Sequence, residues 1–152
     1  MNKNNNTMTQ PTWTFQGRIF NDISDFPEDT YGFIYEVTHK PTGQKYIGKK
    51  VLQFNRTLPP LKGQKRKRKV VKESDWKTYY GSHPKIKELL NESELQDFER
   101  KIIQICKTKK ELTYFECKYL FISEALELKN SCYINDNILG KFYRRDFNNE
   151  TN

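Results

Sequence analysis

Two tyrosines, Tyr35 and Tyr46, stand eleven positions apart in the stretch YGFIYEVTHKPTGQKYIGKK, with Gly32 ahead of the first and Gly48-Lys49 behind the second. A basic run, KGQKRKRKVVK at 62–72, follows with seven cations and no acid. Farther on, Glu116 places a carboxylate beside an apolar helical stripe, where it needs a partner. Hydrolysis of a phosphodiester requires an activated water, charge on the non-bridging oxygens and help for the leaving oxygen. Phenol hydroxyls, cations and a carboxylate are groups that can supply these. Taken singly, each has a plainer reading: strand aromatics, a solvated basic loop, a helix-surface glutamate in an i,i+4 pair.

The elements that must hold these residues can be read from periodicity. Residues 31–39 alternate Tyr31, Phe33, Tyr35, Val37 against Gly32, Ile34, Glu36, Thr38, the pattern of a strand. KPTG at 40–43 suits a type I turn, and QKYIGKKVL returns as a second strand. With the turn centred on Pro41-Thr42, Val37 lies opposite Tyr46 and Tyr35 opposite Gly48. The two tyrosines then become diagonal neighbours on one face, roughly 7–8 Å apart. Gly48 leaves open space beside Tyr35, and a one-residue slip would destroy the arrangement. SHPKIKELLNES at 82–93 predicts a short helix with Pro84 in its first turn and Ile86, Leu89 and Leu90 on one side. DFERKIIQIC at 97–106 predicts a third strand. Thr108 and Glu111 form a capping box for a helix expected over 109–127, with Leu112, Phe115, Tyr119, Ile122 and Leu126 as its stripe. The fold class is therefore α/β (α+β): a small, mostly antiparallel three-stranded sheet flanked by helices.

Composition bounds the partners. The 152 residues suit one domain, and the 35% hydrophobic content predicts a modest core. The net charge of +8 favours a polyanion. No apolar run approaches a membrane span, and MNKNNNTMTQPT contains no signal-peptide core, so a cytoplasmic protein without membrane contact is expected. Cys106, Cys117 and Cys132 match no common zinc spacing and read as reduced thiols. His39 and His83 read as ordinary surface residues. The expected organisation is a disordered tail at 1–11, an arm at 12–28 packing on the domain, the domain itself at 29–145 with a basic insertion at 57–75, and a polar tail at 146–152.

The ordered set resembles the GIY-YIG nucleases. The first signature element stands as Gly32-Phe33-Ile34-Tyr35, with one inserted residue, and the second is intact as Tyr46-Ile47-Gly48, followed by Lys49. Arg56, ten residues after Tyr46, matches an arginine that the family places at the start of a helix. Glu116 in YFECKYLF matches the family's metal-binding glutamate. Asn135 in CYIND matches a late asparagine, with Asn137 close by. The resemblance covers residues 31–140 and is nearest to small phage-encoded and homing endonucleases. Where relatives often carry a Tyr or His after the arginine, this chain has Pro59-Pro60, which leaves Tyr79, Tyr80 or no residue at all to fill that place.

The resemblance implies a divalent-metal-dependent DNA endonuclease. Its catalytic set would be Tyr35, Tyr46, Lys49, Arg56, Glu116 and Asn135, with Gly48 as a structural glycine and Mg2+ (or Mn2+) on Glu116. Arg56 would pair with phosphate oxygens through its planar fork. Tyr35 would be the base and Tyr46 a second positioning hydroxyl, with Lys49 lowering a phenol pKa. Lys62, Lys65, Arg66, Lys67, Arg68, Lys69, Lys72 and Lys77 would contact duplex DNA, and Trp76, Tyr79 and Tyr80 would either stack on bases or anchor the loop. A dimer is compatible with this reading. The rivals are a catalytically inactive nucleic-acid-binding module on the same scaffold and an RNA-directed relative. Replacing Arg66, Lys67, Arg68 and Lys69 together with Gln is expected to weaken DNA binding for all sequences alike. Each lost phosphate contact should reduce the slope of log affinity against log salt by roughly 0.9, measurable by a salt titration on duplex DNA.

Overall fold

The computed structural model describes residues 11–147; the terminal tails expected at 1–11 and 146–152 lie largely outside that range. The strands are β1 (Trp13–Phe15), β2 (Arg18–Phe20), β3 (Gly32–His39), β4 (Gln44–Val51), β5 (Gln53–Leu58), β6 (Arg68–Glu73), β7 (Phe98–Cys106), β8 (Asn137–Ile138) and β9 (Phe142–Tyr143), and the helices are α1 (Pro84–Glu92) and α2 (Lys109–Ile122). No helix among the described residues is long and apolar enough to cross a membrane.

The main sheet has five strands in the order β2-β1-β7-β3-β4, not three. Its centre, β7-β3-β4, is the antiparallel trio read from the sequence. The correction lies at the N-terminus: β1 pairs in parallel with β7, and β2 folds back on β1. The WTF and RIF triplets are too short to announce strands by alternation, and only tertiary pairing makes them so.

β3 is buried on both faces, as befits the middle of a sheet covered on each side. One face packs Trp13, Phe33, Tyr35, Val37 and Trp76 against Ile86 and Leu89 of α1. The other packs Ile34, Ile47 and Cys106 against Leu112 and Leu120 of α2. The β3–β4 register places Tyr35 opposite Gly48 and Val37 opposite Tyr46, as the turn predicted. The register of β3 against β7 shifts between Ile34 and Tyr35. A bulge of this kind re-aims side chains, and here it falls within the signature element that carries the extra residue.

Helix α2 is capped as expected: Thr108 accepts from the Glu111 amide, and the Glu111 carboxylate accepts from Lys107 N at 2.7 Å. It ends at Ile122 rather than 127, because the chain turns through Glu124 at φ 51°. Leu126 is buried beyond the helix, and Ile122 is 65% exposed, so Leu120 takes the place assigned to Ile122.

Trp13 ties the arm to this frame. Its ring meets Phe33 at 5.1 Å and Tyr35 at 5.5 Å edge to face, and its indole donates to Trp76 O at 2.8 Å. Beside it lies Arg100 of β7, 2% exposed and without a carboxylate partner among the described residues. Its guanidinium stacks on Trp13 and Tyr80 and donates to the carbonyls of Pro11, Lys77 and Tyr79. Burial drops its pKa to about 10. Trp13→Ala is expected to cost about 3–5 kcal/mol, seen as an early urea midpoint. A cost below 1 kcal/mol would mean that the arm is not integral to the sheet.

Candidate active site

β4 is an edge strand, and the candidate site straddles that edge. From one face come Tyr35 and Tyr46, with ring centroids 6.3 Å apart. From the other come Lys49 of β4 and Glu116 of α2, with Lys49 Nζ 3.9 Å from the Glu116 carboxylate. Lys49 also reaches Thr113 Oγ1 at 3.4 Å. The structure thus brings Tyr35, Tyr46, Gly48, Lys49 and Glu116 together.

Gly48 is required by contact. A Cβ there would sit 2.3 Å from the Tyr35 hydroxyl and 2.5 Å from its Cζ. Tyr35 occupies that space and is 1% exposed. Tyr46 is half-buried, so it is the phenol that solvent reaches.

The segment 79–83 closes the site and supplies residues that the sequence reading left undecided. Tyr79 packs edge to face on Tyr35 at 5.9 Å. Lys50 Nζ lies 3.9 Å over the Tyr79 ring and pairs with Asp75. Gly81, at φ +129°, would press a Cβ against both tyrosines. Trp76 and Tyr80 are buried and anchor this segment. His83 is not an ordinary surface residue. It caps α1, its ring lies 5.6 Å from Tyr46, and Nε2 meets Asp136 Oδ2 at 2.6 Å. Since Nδ1 accepts the Lys85 amide, Nε2 bears the proton. Spacing alone could not show this, because His83 and Asp136 are 53 residues apart. His39 is likewise buried, bonded to Thr42 and Ser93.

Asn135 is 5% exposed and grips the backbone of Ile47, accepting its N–H at 3.0 Å and donating to its carbonyl at 2.7 Å. It fixes the β4 edge next to Tyr46, with both the oxygen and the nitrogen of its amide engaged there.

Arg56 departs from its expected place. It lies on β5, in a two-stranded hairpin with β6, rather than at the start of a helix. Among the described residues its guanidinium has no hydrogen bond or ion pair, and it does not join the tyrosines. QFNRTL extends because Leu52 ends β4 and the chain turns directly into a ribbon whose return strand is rich in β-branched residues and Lys. The other cations expected to bind nucleic acid follow this hairpin and its loop, except Lys77, which pairs with Asp22 and Glu73.

Charge in the cleft runs against the expected phenolate. Burial is the largest cause that pushes Tyr46 up to about 12, with Glu116 second and the Ser82 hydroxyl opposing. Burial also raises Tyr35 well above an ordinary phenol. Lys49 instead faces Glu116, with which it pairs. The Glu116 carboxyl is itself raised by burial, with Lys49 opposing. Among the described residues no hydrogen bond reaches this carboxylate, and its one ion pair is Lys49.

A raised carboxyl pKa means that the folded chain holds this proton more tightly than the unfolded chain does. Stability is therefore lost as pH rises from the ordinary value of 4.5 through the folded pKa. Glu116→Gln is expected to be more stable than the parent above that window, with the difference closing below it. Urea midpoints from about pH 4 to about pH 7 test this, and equal midpoints at the upper end would show that the carboxylate is not desolvated.

The family model described as "Putative endonuclease segE, GIY-YIG domain" matches residues 13–138. Searches of curated proteins and of solved structures gave no significant match. With most of its length matched, the chain belongs to this GIY-YIG family. A nuclease family implies a nucleic-acid substrate, and GIY-YIG nucleases generally use a divalent metal.

Proposed function

From that membership, we propose that the protein is a divalent-metal-dependent endonuclease that hydrolyses phosphodiester bonds in duplex DNA. The observation that carries this reading is the convergence of Tyr46, Lys49 and Glu116 at one edge of the sheet. The residues fit the metal. Glu116 is a mostly buried carboxylate with one cation near it and no hydrogen bond among the described residues. Among those residues no cluster of three or more His, Cys, Asp or Glu stands ready to hold an ion. Glu116 would therefore bind Mg2+ (or Mn2+) together with phosphate oxygens and waters, and the ion would supply positive charge to the transition state and acidity to bound water.

The chain's own groups do the rest. Lys49 offers its ammonium to the non-bridging oxygens, as the cation already at the carboxylate. Tyr46, kept neutral by burial, holds the attacking water by hydrogen bonding and not as a resident anion. Tyr35, closed off from solvent, acts as the wall that sets the angle of Tyr46. His83, oriented by Asp136, buttresses Tyr46 from the far side.

The rival reading, a nucleic-acid-binding scaffold without cleavage, is favoured by one observation: Arg56 stands outside the cleft. A supercoiled plasmid incubated with and without Mg2+ or Mn2+ separates the two. Metal-dependent nicking or linearisation is expected from the parent chain. Glu116→Ala and Tyr46→Phe should each lose roughly 10²–10³ in rate while keeping DNA binding. Binding without cleavage in either metal would establish the rival, and wild-type rates in both variants would place the chemistry elsewhere.

A further inference from the structure

The hairpin β5–β6 has two unlike faces. Register places Phe54, Arg56 and Leu58 with Arg68, Val70 and Lys72 on one face, and Gln53, Asn55 and Thr57 with Lys69, Val71 and Glu73 on the other. The second face shares a pocket with Glu28, Asp29 and Lys107, in which Lys107 pairs with Asp29. At the root of the first face, Phe54 and Lys72 line a groove of about 640 Å³ together with Lys49, Lys50, Glu73, Asp75 and Tyr79, with Asp75 paired to Lys50. The cationic face therefore runs from the catalytic edge outward.

Shape and charge then choose a partner. Six residues per strand extend about 20 Å, and a two-stranded ribbon is one of the two elements that the major groove of B-DNA admits. The three cations on this face differ in availability. Lys72 sits at the root, and Arg68 Nε is directed to Pro59 O at 3.3 Å. Arg56, in mid-ribbon, is exposed and has no side-chain partner among the described residues. A free guanidinium is the side chain that pairs bidentately with guanine O6 and N7. Its removal from the cleft, awkward for a catalytic arginine, is what a reading residue needs.

We propose that the β5–β6 hairpin enters the major groove with its Arg56–Arg68–Lys72 face and that Arg56 reads a guanine at a fixed offset from the cut. The surrounding loop cations grip phosphate and add affinity without sequence preference. This proposal rests on duplex DNA being the substrate.

The test selects bound molecules from a pool of randomised duplexes at fixed salt, using the full chain, its Arg56→Gln variant and the loop variant Arg66→Gln/Lys67→Gln. The parent should enrich guanine at one position. Arg56→Gln should lose that preference, on the order of ten- to hundredfold at that position, while the loop variant should weaken all sequences alike and keep it. The proposal is overturned by a parent that shows no base preference, or by an Arg56→Gln pool with the parent's preference intact. Plasmid cleavage, run alongside, reports on the nuclease reading independently, because base selection in the pool needs no cut. If Arg56→Gln stops hydrolysis of every duplex yet selects the same guanine, the arginine belongs to the chemistry and the reading role is excluded.

Discussion

The Tyr35 hydroxyl fills the volume that a side chain at position 48 would occupy. A Cβ there would come within 2.3 Å of it, far inside van der Waals contact. This one exclusion locks β3 and β4 in register, since moving either strand by a residue would set a side chain against the ring. It also fixes the Tyr35 ring, against which Trp13 and Tyr79 pack edge to face and Tyr46 packs at a tilt. The aromatic cluster is at once core and floor of the site, and its lining is fixed by packing before any substrate arrives.

Around that floor the electrostatics favour neutrality. Two phenols and one carboxyl are each pushed toward their protonated forms, chiefly by desolvation. A cleft that resists its own negative charge, yet keeps Lys49 against Glu116, has its deficit where a cation or a phosphate-bound ion would enter. The same site holds its polar groups by contacts from distant segments: Asp136 orients His83, and Asn135 clamps Ile47.

Much of this was legible in the order of residues. Alternation and one turn gave the β3–β4 register and the Tyr35–Gly48 pairing, because sterics at a glycine are local information. The capped start of α2 and the position of Glu116 followed from short-range rules. What escaped was non-local. Trp13–Phe15 is a strand only because β7 lies beside it, and three residues have no periodicity to read. Arg56 matched by distance from Tyr46, but the residues between it and Trp76 build a ribbon rather than the helix that such spacing would assume. Asn135 was legible by type and order, but not its task of bonding backbone on a strand 88 residues earlier.

That last separation has a consequence for how the chain is made. Ile47 and Asn135 are 88 residues apart, an interval that takes roughly 4–18 s to synthesise. During it, Tyr35 and Tyr46 are already part of the chain, yet β3 still lacks β7 and the β4 edge lacks its clamp. Arg100, which gathers the carbonyls of Pro11, Lys77 and Tyr79, emerges only midway through that interval. The nascent chain therefore holds both signature elements without a cleft, and the order of translation keeps the site unformed until the last part of the domain is released.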